Sequence, residues 1–179
     1  MEAAGLGLFM ISAAVVTTLL EYPHSPLHGL FADQATRRLM IGLAMGATAI
    51  GLIYSPWGKR SGAHLNPAVT LTFYRLGKIG GIDACSYVMA QFFGGALGLW
   101  LVSRAIGKAV EHPAVNYVVT TPGPAGSGTA FVAEALISFG LMLVVLMVSN
   151  TTSLNAWTGC VAGALVATYI AIEAPLSGM

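Results

Sequence analysis

Ser61-Gly62-Ala63-His64-Leu65-Asn66-Pro67-Ala68-Val69-Thr70 is the stretch on which the reading of this chain turns. Asparagine is a favoured helix N-cap and proline a favoured first helical residue, so Asn66-Pro67 marks the abrupt start of a helix running to about Leu76. The surrounding segment, Ser55 to Gly81, carries Lys59, Arg60, Arg75 and Lys78 around an apolar centre too short to cross a bilayer. It reads as a re-entrant half-helix, about residues 66–76. Backbone at membrane depth is tolerated only where it is buried in protein or lines a water-filled cavity, so Ser61 to Leu65 are expected to line a path. The helix start would present unsatisfied N–H donors, about half a positive charge and the Asn66 amide, a combination that repels cations and orients hydrogen-bond acceptors. Taken as a bare tripeptide, Asn66-Pro67-Ala68 would equally cap an ordinary helix after a loop.

The rest of the chain supplies the context. It has 179 residues, 56% hydrophobic and 8% charged, with a mean hydropathy of +0.77, where a soluble domain is about 25% charged. Five apolar stretches are long enough, or nearly so, to span a bilayer that needs about 20 residues per helix: Ala3 to Leu20, Leu39 to Tyr54, Ala84 to Val102, Thr129 to Val148 and Trp157 to Ile172. The second and fifth are short and need their flanks. The prediction is an all-α, multi-pass membrane bundle in one domain covering residues 1–179. A net charge of +1 without a basic run gives nucleic acid no electrostatic footing. Cys85 and Cys160 lie among apolar residues without metal-ligand spacing and are expected to be small core residues. Glycines crowd the spans, which helix packing alone would explain. Basic residues are balanced between the two sides, so charge does not orient the chain.

An internal repeat is visible. Glu2-Ala3-Ala4-Gly5 and Glu134-Ala135-Leu136-Ile137 each open an apolar span with a glutamate, and Gly46-Ala47 leading to Ser61-Gly62 corresponds to Gly163-Ala164 leading to Ser177-Gly178. An odd number of spans between copies places them in opposite orientations, an inverted repeat of the kind found in transport proteins. The repeat predicts a counterpart of Asn66 beyond Met179, so a second half-helix and a final span are expected beyond the sequence in hand.

The ten residues from Ser61 to Thr70 resemble the first signature of the aquaporin and aquaglyceroporin (major intrinsic protein) family. Glu2, Glu134, Gln91-Phe92-Phe93-Gly94-Gly95-Ala96 and Ala174-Pro175-Leu176-Ser177-Gly178 extend the resemblance along nearly the whole chain. It implies a bundle of six spans and two half-helices, one pore per subunit and a homotetramer; five spans and one half-helix are present here. By resemblance, Asn66 donates to the permeant, the carbonyls of Gly62, Ala63 and His64 form an acceptor ladder, Pro67 and Ala68 shape the half-helix start, and Glu2 and Glu134 brace the pore loops by accepting backbone N–H bonds. An ionisable group inside a span normally has such a partner. Glu2 stands so near the chain start that a solvated position is an equal alternative, and His64 would serve as well as a structural histidine. Matching of flanking strings puts Met45, Ile170 and Met179 at selectivity positions, with Thr168 one turn away as an alternative to Ile170 and ordinary apolar packing as an alternative role for the methionines. An isoleucine where strict water channels place histidine favours small neutral solutes such as glycerol.

The expected function is a passive channel for water or small uncharged solutes that excludes ions and protons, in a plasma or bacterial inner membrane. A non-conducting fragment of a channel protein is the rival. No nucleophile elbow, phosphate loop or metal-ligand cluster points to an enzyme, a metal or a cofactor, and His24, His28, His64 and His112 are scattered.

Overall fold

The computed structural model describes residues 1–177. The chain forms α1 (Glu2–Glu21), α2 (Pro26–Leu30), α3 (Gln34–Tyr54), α4 (Pro56–Ser61), α5 (Pro67–Arg75), α6 (Gly81–Ile106), α7 (Lys108–Glu111), α8 (Ser127–Ser149) and α9 (Thr158–Ser177), with 3-10 turns at Asn116–Val118 and Asn155–Trp157. Five of these are long and apolar enough to cross a membrane. The molecule is an integral, multi-pass helical bundle.

The two spans expected to be short are longer than their apolar cores. Helix α3 starts at Gln34 because Asp33 caps it, its carboxylate accepting from Thr36 N at 2.7 Å and Thr36 Oγ1 at 2.7 Å. The first turns also carry Arg37, which is buried and held through its Nε and Nη1. Its Nε donates to Glu21 Oε1 at 3.2 Å and its Nη1 to the carbonyls of Phe31 and Ala32 at 2.8 and 2.9 Å. Hydropathy marks only the lipid-immersed part of a helix; paired polar residues extend it.

The Thr36 hydroxyl, then the Thr36 N–H, hold the Asp33 carboxyl below its usual 3.8. A depressed folded-state value means that the cap contributes fully above the unfolded value and is lost as pH falls through the folded one. The difference in melting temperature between wild type and Asp33→Ala should therefore stay constant from about pH 8 to about pH 5 and close only on further acidification below the ordinary carboxylate range.

Packing follows the small residues. A Cβ added at Gly46 would meet the Gly163 carbonyl oxygen at 2.5 Å, and one added at Gly163 would meet the Gly46 carbonyl oxygen at 2.6 Å. This exchange, in which each residue faces the other's backbone, is what a two-fold axis through the α3–α9 contact requires. The two glycines are the matching positions of the sequence repeat, so the repeat is inverted and its axis passes between them. At the far end of this seam the Tyr54 hydroxyl donates to the Ala156 carbonyl at 2.7 Å and accepts from Cys160 N at 3.2 Å. Helices α1 and α6 meet as closely, with Gly94 against the Ala3 backbone and Gly98 against that of Gly7.

Outward faces are apolar too. Phe131 and Phe139 on α8 are 75% and 67% exposed, and Ala130 is the one residue of α8 buried among the described side chains. Cys85, expected in the core, is exposed on α6, and Cys160 is half-buried. Apolar neighbours do not mark the interior of a molecule whose solvent is lipid.

Candidate functional site: the re-entrant loop and its cavity

Helix α4 ends at Gly62, whose φ of 85° is left-handed backbone that glycine adopts without a Cβ penalty. Ala63 and Leu65 are also left-handed, at φ 47° and 49°. Non-glycine residues hold such angles at a cost of about 1–3 kcal/mol each, and only where surrounding structure imposes them. What imposes them here is Glu2.

The Glu2 side chain lies in the bundle, 2% exposed, beside the loop. Its Oε1 accepts from Ser61 Oγ at 2.6 Å and from His64 N at 3.2 Å; its Oε2 accepts from Leu65 N at 2.7 Å and from Gln91 Nε2 at 2.8 Å. One carboxylate thus satisfies two loop amides that the left-handed turns expose. Gln91, wholly buried on α6, also donates from Nε2 to Thr70 Oγ1 at 3.0 Å. Thr70 in turn lies 3.2 Å from the Asn66 carbonyl and 3.1 Å from His64 Nδ1. The His64 ring stacks on Phe73 at 4.9 Å and meets the edge of Tyr87 at 5.3 Å, while the Tyr87 hydroxyl donates to the Ser61 carbonyl at 3.0 Å. Loop, half-helix, α1 and α6 form one hydrogen-bonded unit.

Asn66 is the N-cap of α5: its Oδ1 accepts from Ala68 N at 2.7 Å, with Pro67 at the first helical position. Capping uses the amide oxygen, which leaves the Nδ2 donors free for another acceptor. Gly62, Ala63, His64, Leu65 and Asn66 line a cavity of about 320 Å³ between α1, α3, α8 and α9. The opposite wall is apolar, through side chains such as Ile53, Val145 and Val166, except for Ser149 and Thr158.

The remaining sequence candidates among the described residues are not part of this cavity lining. Met45 and Ile170 are buried, 2% and 7% exposed, on the facing helices α3 and α9. Met179 lies outside the described residues. Glu134 accepts from Ser177 Oγ at 2.6 Å, the same distance as Glu2 from Ser61, so the two halves of the repeat share one serine–carboxylate contact. Among the described residues, the partner of Glu134 is this hydroxyl rather than a backbone N–H. Sequence reasoning gave no role to Gln91, Thr70 and Tyr87. The available signal for Gln91 was its polarity within an apolar span, where a polar group is expensive and normally functional.

Residues 3–179 match the family described as Major intrinsic protein. The chain belongs to that family. It is 38% identical over 110 residues to Probable aquaporin AqpM of Archaeoglobus fulgidus, covering 61% of this chain and 44% of that protein. It is 33% identical over 141 residues to Glycerol uptake facilitator protein-like 6 of Lactiplantibacillus plantarum, covering 78% and 64%, and 30% identical over 177 residues to Aquaporin NIP2-2 of Zea mays, covering 97% and 58%. This major intrinsic protein chain thus spans about half the length of such relatives. The X-ray structure of the aquaglyceroporin from Plasmodium falciparum superposes with a TM-score of 0.76 at 21% identity, covering 99% of this chain and 72% of that one, which establishes the shared fold.

Proposed function

We infer that this chain forms part of a passive transmembrane channel for water and small uncharged solutes, glycerol among them, in a domain covering residues 1–179. The observation that carries the reading is the half-helix tip: Asn66 keeps its amide donors free at the wall of a cavity that Gly62, Ala63 and His64 also line. A permeating hydroxyl or water would accept from Asn66 and donate to the loop carbonyls, replacing lost hydration, while the apolar opposite wall offers few places to bind and stall. The positive end of α5 disfavours cations and protons at the same point. Met45, Ile170 and Met179 would form an apolar constriction, a choice that widens the range of solutes beyond water. Glu2 and Glu134 brace the two halves, and four copies would assemble, each with its own pore.

Stopped-flow shrinkage and reswelling of proteoliposomes holding the full-length protein test this directly. Water or glycerol permeability well above that of empty vesicles supports it; permeability equal to empty vesicles for both overturns it. Asn66→Asp keeps the oxygen that caps α5 and removes the Nδ2 donor. Losing one such hydrogen bond, at about 1 kcal/mol, should lower water permeability about fivefold without altering the melting temperature.

A further inference from the structure

Basic residues divide evenly along the chain between the two ends of the bundle, but their partners do not. Arg37, Arg38, Arg104 and Lys108 share the end where α1 finishes with Glu21, Asp33 and Glu111, and Arg37 is paired with Glu21 at 3.2 Å. At the opposite end, where α3 finishes and α6 begins, stand Lys59, Arg60, Arg75 and Lys78. All four are exposed, and among the described residues none of them forms an ion pair. The acidic groups on this side are Asp83 and Glu2, and the Glu2 carboxylate is buried and taken up by the re-entrant loop.

Topology gathers these cations on one structure. Helix α4 leaves the end of α3 and carries Lys59 and Arg60 in its last turn, α5 returns from Asn66 to Arg75, and Lys78 lies in the turn that enters α6. Each limb of the re-entrant hairpin thus carries two cations. From Gly94, which packs against Ala3, α6 runs about 20 Å to Gly81 at this end. Trp57, Tyr74 and Trp157 are exposed here as well, and Ile82, in the first turn of α6, is 85% exposed. Tryptophan and tyrosine favour the headgroup level of a bilayer, and basic side chains at span ends reach up to it. Exposed apolar surface together with unpaired cations matches a phospholipid, which brings acyl chain and phosphate to one place; a soluble anion matches the cations alone.

We propose that this end of the bundle is a docking surface for anionic phospholipid headgroups, which hold the two limbs of the re-entrant hairpin through Lys59 and Arg60 on one and Arg75 and Lys78 on the other. Arginine grips a phosphate with two parallel N–H donors, and lysine supplies a point charge. Arg60 adjoins Ser61, whose hydroxyl donates to Glu2 and whose carbonyl accepts from Tyr87, so a lipid held there restrains the loop at its entry. The inference rests on the membrane placement of the bundle and not on what it conducts.

The full-length protein in a neutral detergent, titrated with phosphatidylglycerol or with phosphatidylcholine, tests this. Phosphatidylglycerol should raise the melting temperature by about 5 °C more than phosphatidylcholine does, and about 0.5 M salt should remove most of the difference. Each cation near an anionic surface adds about fivefold to binding. Lys59→Gln/Arg60→Gln/Arg75→Gln/Lys78→Gln should therefore lose most of the gain, while Arg104→Gln/Lys108→Gln, at the other end, should keep it. Equal gains from the two lipids, a four-site variant that gains as much as wild type, or the same gain from inorganic phosphate overturns the proposal. Where the four-site variant fails to accumulate, fluorescence of the wild-type protein decides. The part of the tryptophan emission that disappears in Trp57→Phe/Trp157→Phe should be quenched more strongly by brominated phosphatidylglycerol than by brominated phosphatidylcholine at equal mole fraction, and equal quenching overturns the proposal.

Discussion

Glu2→Ala is expected to abolish permeation and to lower the melting temperature by more than about 10 °C, although it alters the second residue of the chain. Four donors converge on that carboxylate: Ser61 Oγ, His64 N, Leu65 N and Gln91 Nε2. A hydrogen bond to a charged group contributes about 2 kcal/mol, and a buried donor left without a partner costs about as much. Each kcal/mol shifts the midpoint of a chain this size by about 2–4 °C. Glu2→Gln separates charge from shape. A glutamine amide keeps one acceptor but offers N–H groups where the second oxygen stood. Gln91 can turn its own unpartnered Oε1 toward such a donor; Leu65 N–H, at 2.7 Å, has no such freedom. Glu2→Gln should therefore fall between wild type and Glu2→Ala in both melting temperature and stopped-flow permeability. A Glu2→Ala protein with wild-type permeability would show that the left-handed loop holds its shape by other means.

Gly94→Ala is expected to lower the melting temperature by about 10 °C and to cost most of the permeability, and Gly51→Ala to leave both unchanged or slightly improved. A Cβ at Gly94 would overlap the Ala3 backbone, which no rotamer change relieves. Overpacking against side chains costs about 1–3 kcal/mol, and backbone overlap lies at the upper end of that range or above it. The displacement falls on the residue next to Glu2, and Gly94 lies on α6 one turn beyond Gln91, so α1 would carry its carboxylate away from both the loop and Gln91. At Gly51 an added Cβ meets nothing within 4 Å, and alanine favours a helix over glycine by about 0.8–1.0 kcal/mol. Thermal melts in detergent and proteoliposome shrinkage, run on both variants together, check the pair of outcomes.

Which of these sites could be read from the chain alone depends on how local their signals are. Asn66-Pro67 announces a helix start through capping chemistry contained within three residues, and α5 begins there. The repeat was readable as two glutamates and two Ser-Gly pairs, and the fold turns them into two serine–carboxylate contacts of equal length. Gln91 stood out only as a polar residue in an apolar span, and its partner Thr70 could not be named, because that contact arises only when α5 and α6 are laid side by side. Met45 and Ile170, placed by matching strings, stand on facing helices but outside the lining of the cavity.

By itself the sequence determined that the chain crosses a membrane several times, where a half-helix starts, and that two portions repeat in opposite orientation. These are properties of runs and spacings: the length of an apolar stretch, a cap followed by proline, an odd number of spans between matching residues. Only the tertiary structure decided which faces turn inward, that Glu2 is buried and not solvated, and that Cys85 faces outward. The reason lies in the solvent. Lipid rewards apolar residues on the outer face as the core does on the inner, so hydrophobicity does not tell the two apart. The choice falls to close backbone contact at a few glycines and to hydrogen bonds between groups far apart in the chain.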